Sequence, residues 1–400
     1  MERNVIYTRK LKPQEFPFPR DKRSLLGQLD IELTERCNNN CIHCCINLPE
    51  DAPARNREMD TAFLREIVTQ AADLGCLTVR FTGGEPLLRD DFADLYLFTR
   101  RLGMQVIVFT NGRLITPELA ALFAKYPPGK PVEISVYGMH PESYDAASGR
   151  KGAFQEFRRG MELLQRHGVR FVVKSSILPP NRGDMAAFEQ WMAELDVEDH
   201  RPRYAMNFDL RSRRDDPGKN GRIEKLRLSP EETVRVLART PRYLEEMRDF
   251  CGKFIGPPGE KLFSCGAGHG ACIDAYGRAQ MCLPLRDPET VVDLRKATLK
   301  SALEETFPKL CETRATHPDY LARCARCFLK GLCEQCPAKS WMEHGTLDTP
   351  VEYLCDVAHA QAKYLGLIRE GEKAWEVENW RERRTLNDRN ERKMKDGTRA

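Results

Sequence analysis

The sequence predicts an α/β protein: a parallel sheet, curved or closed into a barrel, followed by a loop-rich, cysteine-rich region. Three observations predict it. From about Gly27 to Leu210, short β-type runs alternate with amphipathic helical segments. The connections between them are short, as repeated βα units with a parallel sheet require. Beyond Ser264 the helical periodicity gives way to loops and closely spaced cysteines.

The elements follow in order. "LDIELT" is the first strand, just before the stretch "RCNNNCIHCC", Arg36 to Cys45. A helix runs from about Asp60 to Leu74, with Asp60 as N-cap and Phe63, Leu64, Ile67, Val68 and Ala71 on one face. Then come "LTVRFTGGEP", a helix near Asp91 to Arg101, "QVIVFTN", a helix near Pro117 to Lys125, and "VEISVYG". A helix near Ala153 to His167, "RFVVKSS", a helix near Met185 to Leu195 and "RYAMNFDL" complete the alternation. "RSRRDDPGKNGR" is polar with Gly and Pro and reads as a surface loop. Ser229 to Arg248 reads as a helix, with Ser229 as N-cap, Pro230 in the first turn and Glu231 and Glu232 behind it. "CGKFIGPPGEK" is the expected domain boundary. The second region, about Ser264 to Gly366, has one hairpin signal, "CIDAYGRAQMC". The tail after Gly371 is mostly charged, carries Trp375 and Trp380, and reads as a solvated helix or frayed end.

Composition bounds the function. With 400 residues, 41% hydrophobic and 30% charged, the chain is long enough for a well-buried core and two or three domains. A net charge of +4, with basic and acidic residues interleaved, argues against nucleic acid as a partner. No apolar run approaches the roughly 18 residues of a membrane span, and the N-terminus has no export-signal core. The expected location is therefore the cytoplasm. In that reducing compartment fifteen cysteines, an odd number, point to metal ligation or redox chemistry rather than disulfides.

"RCNNNCIHCC" offers two overlapping triplets, Cys37, Cys41 and Cys44, or Cys37, Cys41 and Cys45. Three thiolates on one loop can hold three irons of a cubane cluster and leave the fourth open for a small molecule. The competing reading is a zinc loop, but zinc prefers paired hooks and a fourth ligand, and only Cys45 is near. "TGGEP", Thr82, Gly83, Gly84, Glu85 and Pro86, ends a strand: two glycines permit close backbone approach, and Glu85 can face an ammonium group. "FTNG", Phe109 to Gly112, and "ISVYG", Ile134 to Gly138, also end strands.

The Cys-x3-Cys-x2-Cys spacing of Cys37, Cys41 and Cys44, with these strand ends, resembles the radical S-adenosylmethionine (radical SAM) superfamily. The resemblance implies a partial (β/α)6 TIM-like barrel. It also implies a [4Fe–4S] cluster on the triplet and reductive cleavage of S-adenosylmethionine to a 5′-deoxyadenosyl radical that abstracts hydrogen. It places TGGEP at the methionyl amino group, Asn111 on the next strand end, Ser135 at the ribose, His43 near the adenine, and Arg150 within reach of the carboxylate or in a surface salt bridge.

The second region resembles the SPASM extension of radical SAM maturases. It reads Cys265-x11-Gly277-x4-Cys282, then Cys324-x2-Cys327-x5-Cys333-x2-Cys336, then Cys355. The family's last pair is usually separated by three residues, not two, a slip expected to alter a loop rather than lose a ligand. The resemblance implies two auxiliary [4Fe–4S] clusters. The first takes Cys265, Cys272, Cys282 and Cys336, and the second takes Cys324, Cys327, Cys333 and Cys355; a zinc-ribbon pair is the alternative. Cys45, Cys76, Cys251 and Cys311 are left over, most simply as packed thiols. The expected organisation is an N-terminal extension (1–26), a radical SAM barrel (27–250), a linker (251–263), a SPASM domain (264–366) and a charged tail (367–400).

The subgroup resembled matures ribosomally made peptides by crosslinking, oxidising, excising or epimerising residues, so a peptide is the leading substrate class. About 27 residues precede the first strand, too few for a winged-helix leader-binding domain. The expectation is a separate leader-recognition protein, with flavodoxin or ferredoxin as electron donor. One alternative is an anaerobic sulfatase-type maturase, but Leu283 stands where that family places its aspartate base. Small-molecule cofactor or tetrapyrrole chemistry is another. A non-catalytic iron–sulfur or zinc protein would need neither the open-iron triplet nor TGGEP. No catalytic acid or base is legible.

Overall fold

Leu29, Ile31 and Leu33 are fully buried along β1 (Gln28–Thr34), and Asp30 and Glu32 alternate with them. A period of two therefore puts apolar residues on one face and carboxylates on the other. In this computed structural model, which describes residues 5–7, 26–195, 204–239, 243–265 and 270–383, β1 organises the sheet. It pairs in parallel with β2 (Thr78–Gly83), followed by β3 (Gln105–Thr110), β4 (Val132–Val136), β5 (Phe171–Ser176) and β6 (Tyr204–Ala205). The crossovers carry the expected helices, Thr61–Asp73, Phe92–Arg101, Pro117–Lys125, Ala153–Arg166 and Met185–Glu194. Asp60 caps the first, accepting the Phe63 N–H at 2.8 Å. A further helix, Pro141–Ser148, follows "VEISVYG".

The parallel α/β architecture is as predicted. The free edge of β1 is taken by β7 (Ala271–Ile273), in parallel, and the hairpin continues through antiparallel β8 (Arg278–Gln280) and β9 (Val292–Asp293). Among the described residues this makes a nine-stranded sheet in the order β9-β8-β7-β1-β2-β3-β4-β5-β6. The "CIDAYGRAQMC" hairpin is thus present, and it belongs with the sheet.

Two compact units result, Met1–Leu226 with Gly266–Leu310, and Arg227–Cys265 with Cys311–Ala400. They divide the chain differently from the domains drawn on motif spacing, because the β1–β7 ladder draws the hairpin into the first unit. "RSRRDDPGKNGR" is no surface loop: Arg211, Ser212 and Lys219 are buried in the first unit, and Asp216 caps a helix at Pro217–Glu224.

In the second unit, Ser229 and Glu232 form a reciprocal cap on helix Pro230–Leu237, at 3.2 and 3.0 Å. The expected single helix to Arg248 is instead two, the second being Tyr243–Phe254. Pro241, which has no backbone N–H to donate, lies between them and outside the described residues. The apolar core joins Cys251, Ile255, Phe328, Leu332 and Ala358 to Leu367, Ile368 and Ala374 from the tail. Trp380 stacks on Phe328 at 5.9 Å. The tail as far as Arg383 is therefore partly packed, through Ala374, Val377 and Trp380, while most of its charged side chains face solvent. The rest of the tail, most of the 1–26 extension and residues 266–269 lie outside the described residues. No helix among the described residues is long and apolar enough to cross a membrane.

Candidate functional site

The cysteine loop leaves β1 at Thr34, beyond a register shift between Glu32 and Thr34. It is folded back by a short parallel ladder of Arg36–Cys37 with Leu48–Pro49. Arg36 pairs with Glu58 at 2.9 Å, both nearly buried, and fixes the loop's entry. The loop's far side is tied to helix Pro141–Ser148, where Asn40 N donates to Ser148 O at 2.9 Å and Ile42 N to Ala147 O at 3.1 Å.

The β3 strand end holds the loop from below. The Asn111 side chain donates to Asn38 Oδ1 at 2.7 Å and reaches Cys37 Sγ at 3.9 Å. Arg113, one residue past the recognised "FTNG", donates to Asn38 O at 2.7 Å and Asn39 Oδ1 at 2.5 Å, and to Glu156 at 2.8 Å. Sequence reasoning missed Arg113; its signal is an arginine placed directly after a strand-ending Asn-Gly.

The TGGEP turn lies against the same loop. Gly84 N donates to Thr34 O at 2.7 Å, and Glu85 N to Arg36 O at 2.8 Å. A Cβ on Gly83 would stand 2.0 Å from Thr34 O, and one on Gly84 would stand 2.2 Å from Arg36 O. Gly83 also sits at φ +130°. Both glycines are thus demanded by backbone-to-backbone approach. Glu85 is fully buried and accepts from Thr110 Oγ1 and Asn111 N, each at 2.8 Å, and from Leu87 N at 3.2 Å. Burial, the largest cause, pushes its carboxyl up to about 7. Pro86 is buried and opens the turn Pro86–Leu88, and Thr82 pairs with Glu32 across the β1–β2 ladder.

His43 is enclosed by Tyr137 and Phe208, at 5.9 and 4.9 Å between rings, with Nε2 3.3 Å from Ser176 Oγ. Burial holds its imidazole down at about 4, hence neutral. Ser135 is half-buried on β4, opposite Lys174 of β5. Arg150 is apart from this group: half-exposed, its guanidinium is 3.8 Å from a half-exposed Glu50.

The side chains fit an acceptor-rich group bound at the triplet. Asn38 Nδ2, Asn39 Nδ2, His43 Nδ1 and Tyr144 Oη are buried without a protein partner. Burial pushes the Cys41 thiol up to about 12 and the Cys37 thiol well above its usual range. Such thiols stay protonated until metal ions displace the protons. Cys45, also pushed up to about 12 by burial, has its carbonyl held by Ser212 N at 3.2 Å. Among the described residues no three His, Cys, Asp or Glu side chains converge on a site for one metal ion.

The sequence reading also missed a buried charge network. Arg286, four residues past Cys282, donates to Glu32 and to Glu35, and all three are buried. Glu35 further accepts from the Tyr276 hydroxyl at 2.6 Å and pairs with Arg213 at 2.5 Å. The polar face of the sheet continues with Arg80 paired to Asp30 at 2.8 Å, and Phe109 lies between Arg80 and Lys174, at 4.8 and 4.5 Å. Its signal was the alternation of carboxylates along "LDIELT".

Residues 31–192 match the sequence profile of the radical SAM superfamily. Those residues carry a radical SAM domain. A radical SAM domain implies S-adenosylmethionine and a [4Fe–4S] cluster. Fe-coproporphyrin III synthase from Methanosarcina barkeri is 29% identical over 47% of this chain and 45% of its own. The antilisterial bacteriocin subtilosin biosynthesis protein AlbA from Bacillus subtilis is 22% identical over 81% of this chain and 66% of its own. The chain therefore spans less than two thirds of either relative. Streptococcus suis SuiB, in a crystal structure with its precursor peptide SuiA, has a similar fold with TM-score 0.62, at 17% identity over 83% of this chain and 76% of that one.

The remaining cysteines fall into both units. Cys272 and Cys282 belong to the first and Cys265 and Cys336 to the second, so the set expected for one auxiliary cluster is divided between them. Cys272 is buried, its Sγ 3.9 Å from Asp30 Oδ2. Cys324, Cys327, Cys333 and Cys355 line one pocket of the second unit, about 690 Å³ including its open mouth. Burial is the main cause that pushes the thiols of Cys324, Cys327 and Cys333 up to about 12. Cys336 lines the same pocket. Cys76 and Cys251 are packed thiols, the first donating to Thr78 O at 3.1 Å.

Proposed function

We propose that this chain uses S-adenosylmethionine and a [4Fe–4S] cluster on Cys37, Cys41 and Cys44 to abstract hydrogen from a peptide. The peptide is a ribosomally made precursor, in which one residue is crosslinked, oxidised, excised or epimerised. The observation that carries this reading is the triplet loop seated on TGGEP, with buried amide, imidazole and hydroxyl groups that find no partner in the protein. When bound, the cluster and S-adenosylmethionine supply the reductive cleavage and the hydrogen-abstracting radical. The chain's own residues position and enclose. Asn111 and Arg113 hold the loop, Gly83 and Gly84 admit the close main chain, and Glu85 locks the β3 end beneath it. His43, Thr82, Pro86 and Ser135 are proposed as the walls of the S-adenosylmethionine site. Arg150 is the weakest member of that set, because it already faces Glu50.

The auxiliary clusters belong to the same proposal, on Cys265, Cys272, Cys282 and Cys336 and on Cys324, Cys327, Cys333 and Cys355. The shared pocket of the second four supports their assignment. The limits of motif spacing, a barrel over 27–250 and a SPASM domain over 264–366, belong to the same proposal as sequence regions, while the compact units divide the chain differently. A flavodoxin or ferredoxin as reductant, a separate leader-recognition protein and a cytoplasmic location complete the reading. The relation to AlbA and the fold shared with peptide-bound SuiB support the peptide substrate. The relation to Fe-coproporphyrin III synthase favours a second reading, chemistry on a small tetrapyrrole.

Anaerobic reconstitution should yield about twelve irons per chain, from three cubanes of four, and reductive release of 5′-deoxyadenosine. Co-expression with short peptides encoded beside the gene should produce a mass change, such as loss of two hydrogens. Turnover of a porphyrin with every such peptide unchanged moves the assignment to the second reading. Stoichiometric zinc without charge-transfer absorption overturns both.

A further inference from the structure

The four-cysteine pocket of the second unit is closed by side chains that no cysteine motif explains. Arg323 directly precedes Cys324, and its Nη2 lies 3.8 Å from Cys355 Sγ. Its guanidinium is bidentate to Glu352, at 2.7 and 2.8 Å, and stacks on Trp375 at 4.8 Å. Trp375 comes from the charged tail, which is latched to the cysteine-bearing helix Glu352–Tyr364. There Ala374 N donates to His359 Nε2 at 3.2 Å. Because Nε2 accepts, the ring proton sits on Nδ1, which donates to Cys355 O at 2.8 Å. Trp375 and His359 rings meet edge-on at 5.3 Å.

An arginine–glutamate pair at a protein surface is worth little by itself and needs neither an aromatic stack nor a sulfur contact. Here Glu352 and Trp375 fix the guanidinium, so its fork faces the carboxylate and holds Nη2 within reach of the Cys355 thiol. Iron–sulfur potentials respond to net charge, to hydrogen bonds on the sulfurs and to solvent exposure. A fixed N–H donor with a positive charge stabilises the more negative, reduced state of a cluster.

We propose that Arg323 is a positioning residue for redox tuning: held by Glu352 and Trp375, it raises the reduction potential of a [4Fe–4S] cluster on Cys324, Cys327, Cys333 and Cys355. This rests on the auxiliary-cluster assignment made above. Glu352 has the opposite electrostatic effect, because its carboxylate offsets part of the arginine's charge. Two substitutions therefore move the potential in opposite directions, which damage to the pocket would not do.

The test uses the full-length chain carrying C37A/C41A/C44A, so that only auxiliary clusters contribute. Iron content should be about eight per chain, for two cubanes, and adding C324A identifies the signal of this cluster by its loss. In redox titrations followed by electron paramagnetic resonance, R323M should lower its reduction equilibrium constant at least tenfold, 59 mV for one electron. E352Q should shift it the other way. If C324A removes no iron or signal, the cluster assignment falls and the tuning role with it. If the cluster is present but both variants leave the potential unchanged, or move it in the same direction, the tuning role alone is overturned. Should R323M assemble no cluster, E352Q decides alone: absence of a rise refutes the role.

Discussion

Glu85 accepts the backbone N–H of Asn111 at 2.8 Å, and Asn111 in turn reaches the loop of Cys37 with its side chain. One buried carboxylate thus joins the TGGEP turn to the strand end that carries the cysteine loop. In E85Q an amide nitrogen faces either the Asn111 N–H or the Thr110 hydroxyl. Misplacing a buried donor costs about 1–3 kcal/mol. E85Q should retain iron yet cleave S-adenosylmethionine at least tenfold more slowly. Wild-type cleavage by E85Q would mean the carboxylate is dispensable.

At Gly83 the backbone leaves no room for a Cβ. Its added Cβ would meet a main-chain oxygen, Thr34 O, at 2.0 Å, and a main chain cannot rotate aside as a side chain does. G83A should destabilise the fold by about 2–4 kcal/mol, in the range of strained-backbone and overpacking effects. Denaturant unfolding measures it. A loss below about 0.5 kcal/mol, the scale of a surface substitution, would show that the two backbones separate cheaply.

How much of this was legible differs between the parts. The βα alternation and the Asp60 and Ser229 caps are local signals, and the structure places them where periodicity and capping chemistry put them. The cysteine loop and TGGEP are contiguous stretches, and the structure packs the entry of one against the other. Arg286 was not, because its two carboxylate partners lie some 250 residues away in the chain. Arg211 and Lys219 were misread for a related reason: a polar run counts as exposed until a buried partner, here Asn47, is known. The tail misled through its charge, since the apolar surface of Leu367, Ile368 and Ala374 outweighs it in the core.

Arg286 is a buried cation shared by two buried carboxylates. Removing it leaves Glu32 and Glu35 buried and facing one another without their shared cation. Breaking such a buried group from one side costs about 3–5 kcal/mol. R286M should therefore lose stability in that range, whereas R286M with E32Q should recover part of it. An R286M chain as stable as wild type would show that the carboxylates are protonated at neutral pH and need no cation.

The pH dependence follows from the same carboxylate. Burial, the largest cause, pushes Glu32 up to about 7 despite Arg286 beside it. A carboxyl raised above its unfolded value binds more protons when folded, so its contribution falls as pH rises from about 4.5 to about 7. His43, held down at about 4, slopes the other way between about 4 and 6.5. The difference between wild type and E32Q isolates the glutamate. Unfolding free energies at pH 5 and pH 7.5 should fall with pH more steeply for wild type than for E32Q. Equal slopes would place the Glu32 pKa in the ordinary range.

Cys44 and Cys45 separate the two triplets by their neighbours. Cys44 N donates to Cys41 O at 3.2 Å, closing a tight turn that turns the second and third thiols of the first triplet together. Cys45 is drawn the other way, with its carbonyl on Ser212 and Arg211 on the adjoining Asn47. C44A should therefore abolish release of 5′-deoxyadenosine and remove about four irons per chain, one cubane. C45S keeps a side chain of similar size beside Ser212 and should leave both nearly unchanged. The reverse pattern would make Cys37, Cys41 and Cys45 the cluster ligands, and would require the Cys45–Ser212 contact to open when the cluster assembles.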